Sequence, residues 1–164
     1  MVAATAADAA SRSPLAVLEK LLTHSIRLRD LYKNARWRFP SGQFGGLRRI
    51  FHYKEQVSLI DAIVDRIPVL GGTVGVFASE FLQSAPSCRL LRGPRALDQL
   101  LHEFFDAHES VLSVARPRDA NDDQPWVRDF AVGQVALTNE QQRESINEVL
   151  LKNEPPLRFR QADF

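Results

Sequence analysis

The chain has 164 residues, 45% of them apolar and 25% charged, with a net charge of +1, a composition that fits one soluble globular domain. So small a net charge excludes a whole-molecule field for gathering nucleic acid, and a single cysteine, Cys88, excludes an internal disulfide or a cysteine-based zinc site. That thiol reads as a small apolar filler.

The opening stretch MVAATAADAASRS has neither a basic n-region nor an apolar h-region, and it reads as a tail and not as a secretory signal. No apolar run is long enough to cross a bilayer. A cytoplasmic location follows as the expectation.

Ser13 and Pro14 then open the first helix, Ser as N-cap and Pro at the first helical position. Leu15, Leu18, Leu22 and Ile26, then Leu28, Leu31, Tyr32 and Ala35, recur at helical spacing. The helix is expected to stop before Pro40, because the residue ahead of a proline avoids the α region. A second helix is predicted from Phe44, with Leu47, Ile50, Phe51, Val57, Ile60, Val64 and Ile67 on its buried stripe and Pro68 and Gly71-Gly72 ending it. Gly45-Gly46 weakens its first turn. The run Val76 to Leu82 predicts a short connecting helix.

Gly93-Pro94 starts a third helix, whose inner side holds Leu97, Leu100, Leu101, Phe104, Phe105, His108, Val111 and Leu112, up to Arg116-Pro117. After a polar loop, Pro125 starts a fourth, with Trp126, Phe130, Gly133, Leu137, Ile146, Val149 and Leu150 inward, ended by Pro155-Pro156. The reading is all-α. A four-helix bundle with one long crossover spans residues 13–153, between an N-terminal tail (1–12) and a C-terminal tail (154–164).

The stretch ARWRFPSGQFGGLRRIFH, residues 35–52, holds Arg36, Arg38, Arg48 and Arg49, four aromatic side chains and no carboxylate. Trp37, Phe39, Phe44 and Phe51 are more aromatic surface than a lone bundle covers, which predicts assembly beyond a dimer. Downstream, Asp61 and Asp65 are spaced i, i+4, so both stack on one helical face within reach of one metal.

Trp37, Phe44, Leu47, Tyr53, LIDAIVDRI (59–67), Gly71-Gly72, His108-Glu109 and WVRDF (126–130), in this order, resemble the Dps family of miniature ferritins over residues 14–151. The resemblance implies a ferritin-like bundle that assembles as a hollow homo-oligomer of twelve subunits. It also implies oxidation of ferrous iron between subunits, iron storage and protection against oxidative stress. In the family one subunit supplies two histidines and an acid, and its neighbour supplies the i, i+4 carboxylates. Here the carboxylates are Asp61 and Asp65, the histidine positions hold Arg36 and Arg48, and the acid position holds His52. Arginine has no lone pair for a metal. The implied metal residues are therefore His52, Asp61 and Asp65, and the ferroxidase centre is degraded or rebuilt.

Two readings stay open. One is an iron-handling Dps-type shell. The other is a non-catalytic ferritin-like assembly, in which Arg36 and Arg48 pair with Asp61 and Asp65 of a twofold mate in bidentate salt bridges, where a di-iron site would lie. Solvated, unpaired arginines are the plain alternative. Asp122, Asp123 and Asp129 match the region that lines a threefold pore in Dps shells, although acids near a helix N-terminus need no further reason. The N-terminal tail holds only Asp8 and Arg12 as charges, so tight DNA binding is not expected. His24 reads as a surface or capping residue, and His102 and His108 are spaced by six, not by the four of a HExxH site.

Overall fold

The computed structural model describes residues 13–38, 50–74, 94–116 and 124–153. Ser13 caps the first helix as its sequence dictates: its Oγ accepts a hydrogen bond from the Ala16 amide at 3.2 Å. Helix α1 then runs Pro14–Arg38, α2 Tyr53–Val64, α3 Pro94–Ala115, α4 Pro125–Phe130 and α5 Leu137–Asn153. A π-helical turn, Ala131–Ala136, joins α4 to α5, so these three segments form one rod. Four helical rods and, among the described residues, no strand make a ferritin-like bundle. Helix α1 packs on α2 and α3, and α3 on α5 and the π turn.

The core is aliphatic, with Leu18, Leu21, Leu28, Ile63, Ile67, Leu101 and Ile146 fully buried around Tyr32 and Phe104. Each such side chain contributes about 1.5–3 kcal/mol when withdrawn from water. No described helix is long and apolar enough to cross a membrane.

Helix α2 is shorter than its apolar spacing predicts. It starts at Tyr53, not near Phe44, because Phe51 and His52 leave the helical path; His52 has φ −91° and ψ 30°. Phe51 also leaves the predicted aromatic surface: it is half-buried, with its ring 6.0 Å from that of Tyr32 and 6.1 Å from that of Phe104. Beyond α2, a 3-10 turn at Pro68–Leu70 ends on Gly71, whose φ of +77° is the left-handed region that suits glycine. Gly72 follows in close quarters, since a Cβ there would lie 2.6 Å from both Ile67 and Leu15 side-chain carbons. Arg66 ties this end of α2 to the rod beyond. Its guanidinium donates to the Ala62 carbonyl at 2.7 Å and stacks 3.9 Å over the Phe130 ring.

The π turn changes the phase of the last rod. An inserted residue rotates everything beyond it, so Val135 and Ala136 face inward while Gly133 and Leu137, predicted on the buried stripe, are exposed. The predicted connecting helix at Val76 to Leu82, Gly45-Gly46 and both tails lie outside the described residues.

Candidate functional site

Asp61 and Asp65 keep the relation their spacing predicts. Helical geometry extends through Asp65, whose amide donates to the Asp61 carbonyl at 3.0 Å, and both carboxylates are exposed on the side of α2 away from the core. His52 stands nine residues before Asp61. At 1.5 Å rise per residue this is about 13 Å along the axis, so one subunit cannot bring His52 and the acid pair to one metal. The His52 ring turns inward, edge-on to Tyr32 with centroids 6.2 Å apart, and its Nε2 is buried without a hydrogen-bond partner among the described residues. Burial holds its pKa below the ordinary histidine value, partly offset by the charge of Glu55.

Asp129 is exposed on α4. Arg36 belongs to the last turn of α1, but its side chain, like Arg48, Asp122 and Asp123, lies outside the described residues. Among the described residues no three His, Cys, Asp or Glu side chains converge on one metal position.

The structure also brings together a polar centre that helical periodicity passes over. Gln56 lies on the inner stripe with Leu59, Ile60 and Ile63, and Asn139 and Gln142 lie on that of Val135, Ile146 and Val149. All three, with His108 and Tyr32, are buried. Each helical rod contributes. The Tyr32 hydroxyl lies 2.7 Å from His108 Nε2, and His108 Nδ1 lies 2.8 Å from Asn139 Oδ1. Gln56 Nε2 donates to Asn139 Oδ1 at 3.2 Å and to Gln142 Oε1 at 2.7 Å.

The direction of every bond in this chain is fixed by one carbonyl. Asn139 Nδ2 donates to the Val135 carbonyl at 2.8 Å, inside the π turn. Its Oδ1 must then accept, so His108 carries its proton on Nδ1. The remaining lone pair on Nε2 accepts from the Tyr32 hydroxyl. Burial is the main reason the His108 pKa falls to about 4, and the charges of His52 and Arg143 push the same way against the Asn139 hydrogen bond. Burial likewise raises the Tyr32 hydroxyl above its ordinary value, with Glu55 adding to the effect.

Ferritin-like bundles that hold metal in their centre do so with inward glutamates and histidines. Here the network contains no carboxylate, and both nitrogens of its histidine are engaged. The bundle centre therefore does not fit a metal.

The remaining histidines have local roles. His24 is half-buried on α1, its pKa lowered by burial and by Arg27. His102 is exposed, 3.8 Å from Asp98. Glu109, next to His108, forms an ion pair with Arg143 that joins α3 to α5.

No family model matches the chain. It is 29% identical over 104 residues to an uncharacterised protein from the bpoA2 5′ region of Kitasatospora aureofaciens, covering 60% of this chain and 67% of that one. Among solved structures, DpsC from Streptomyces coelicolor superposes with a TM-score of 0.66 at 28% sequence identity, over 84% of this chain and 83% of that chain. The fold is Dps-like.

Proposed function

We propose that this chain is the subunit of a Dps-type iron-sequestering shell, a cytoplasmic, hollow homo-oligomer of twelve copies that protects against oxidative stress. The observation that carries this reading is the exposed acid pair. Asp61 and Asp65 project from one face of α2 in a fold similar to that of DpsC, and exposed paired carboxylates suit a hard or borderline divalent cation. Ferrous iron is the cargo, held first by Asp61 and Asp65 at the contact between subunits. Asp129, with Asp122 and Asp123, supplies the acidic entry that draws it inward.

Oxidation at the subunit contact is slow in this proposal. Arg36 and Arg48 bring fixed positive charge where a neutral nitrogen would otherwise bind metal, and a guanidinium beside the acid pair competes with the cation for it. The shell therefore retains iron more than it turns it over. DNA is not a tight partner in this proposal, since the net charge of the sequence is only +1.

Two measurements on the purified protein test this reading. Light scattering should give the mass of a multi-subunit assembly, and mixing with ferrous iron in air should give oxidation little faster than in buffer alone. A monomer in solution would contradict the shell. Oxidation far above the buffer rate that disappears in the Asp61→Ala, Asp65→Ala double variant would mean an active, rebuilt ferroxidase.

A further inference from the structure

We propose that Tyr32 and His108 form a redox-active tyrosine with its proton acceptor already in place, able to take up one oxidising equivalent from a peroxide-derived one-electron oxidant. The inference rests on the geometry of the bundle centre alone and is independent of where iron binds. A phenol that loses an electron becomes a strong acid, so its oxidation is easy only where a base waits at hydrogen-bond distance. His108 Nε2 waits 2.7 Å from the Tyr32 hydroxyl.

The step balances within the pair. One electron leaves the Tyr32 ring for the oxidant, the O–H bond of Tyr32 breaks, and an N–H bond forms at His108 Nε2. The products are a neutral phenoxyl radical and an imidazolium. A one-electron donor such as a thiolate later returns the electron, and the proton goes back along the same hydrogen bond.

Three features favour this over a purely structural contact. The Val135 carbonyl fixes the bond directions so that Nε2 presents a lone pair to the hydroxyl and not a competing proton. The imidazolium formed keeps its Nδ1–H on Asn139 Oδ1, so the new charge is met by a hydrogen bond that needs no rearrangement. Tyr32 is fully buried, stacked on Phe104 at 4.4 Å and flanked by Phe51 and His52, which keeps a radical there from water and from other radicals. Low basicity of a buried imidazole does not block the step, because an oxidised phenol is far the stronger acid.

The chain has two tyrosines and two tryptophans, so the radical can be assigned by substitution. The whole protein is oxidised by a flash-generated ruthenium(III) polypyridyl complex and frozen for electron paramagnetic resonance. The tyrosyl signal is expected in the wild type and in Tyr53→Phe and absent in Tyr32→Phe. His108→Gln keeps an acceptor but removes the base, and should slow radical formation by about 100-fold, at the low end of what a positioned base contributes. Independently of how that variant folds, the wild type is also compared in heavy water, where coupled proton transfer must slow formation of the radical. A signal that survives Tyr32→Phe, or a wild-type rate unchanged in heavy water, overturns the proposal.

Discussion

The hydroxyl of Tyr32 donates to Nε2 of His108 at 2.7 Å, joining the first and third helical rods across 76 residues of sequence. Removing that hydroxyl leaves a buried imidazole nitrogen without its donor, and an unsatisfied buried polar group costs about 1–3 kcal/mol. Tyr32→Phe should lower the unfolding free energy by that amount, read as a lower urea midpoint with an unchanged slope. Tyr53→Phe, at a residue 37% exposed, should stay within about 0.5 kcal/mol of the wild type. Equal effects from the two would contradict the network.

Acid should weaken the fold through His108. Its pKa is about 4 in the folded protein against 6.5 when unfolded, so below pH 6.5 the unfolded chain binds the extra proton. The stability linked to this group is complete above pH 6.5 and is lost as the pH falls toward 4, a loss of about 3 kcal/mol by linkage. His24 and His52, lowered by burial, act in the same direction. Unfolding measured at pH 7, 5.5 and 4.5 checks the sign, and His108→Gln should flatten the profile across that window.

Gly72→Ala should destabilise by about 1–3 kcal/mol, as overpacking does, because its Cβ would meet the Ile67 and Leu15 side chains at 2.6 Å. Gly71→Ala meets no neighbour but must adopt a φ of +77°, at a cost of about 1–2 kcal/mol. Thermal unfolding of both variants tests the turn. Wild-type stability in either would mean that the chain leaves α2 by another path.

The proposed subunit contact predicts coupling between charges. Should Arg36 pair with Asp65 of a neighbour in a buried setting, loss of one partner costs about 3–5 kcal/mol, against about 0–1 for an exposed pair. Arg36→Ala combined with Asp65→Ala should then harm assembly less than the two single losses added together. A coupling energy within about 0.3–0.5 kcal/mol of zero in a double-mutant cycle would show the two residues to be independent.

Much of the bundle was legible because its punctuation is local. Ser13-Pro14, Pro94 and Pro125 start helices for reasons that involve only neighbouring atoms, and the stripes of Leu and Ile carry the helical period. The start of α2 was not, because Leu47 and Ile50 keep the apolar spacing ahead of the break at His52. Nor was the π turn. A one-residue insertion leaves composition unchanged, and its trace is the mismatch between a predicted inward Leu137 and its exposure of 51%. Gln56, Asn139 and Gln142 sit at inward positions that a count of apolar residues skips. A polar residue recurring at the core spacing was the available signal. The spacing of Asp61 and Asp65 could be read directly, whereas the partners proposed for them belong to another copy of the chain.

Iron per purified oligomer after aerobic loading with ferrous iron is the most direct test of the central claim. The protein is loaded, desalted, separated by size and assayed for iron in the multi-subunit fraction. Iron is expected to co-elute with the oligomer in excess of the subunits present, and to be reduced in the Asp61→Ala, Asp65→Ala double variant. An intact oligomer that elutes without iron would contradict the account and leave a ferritin-like assembly with no iron to store.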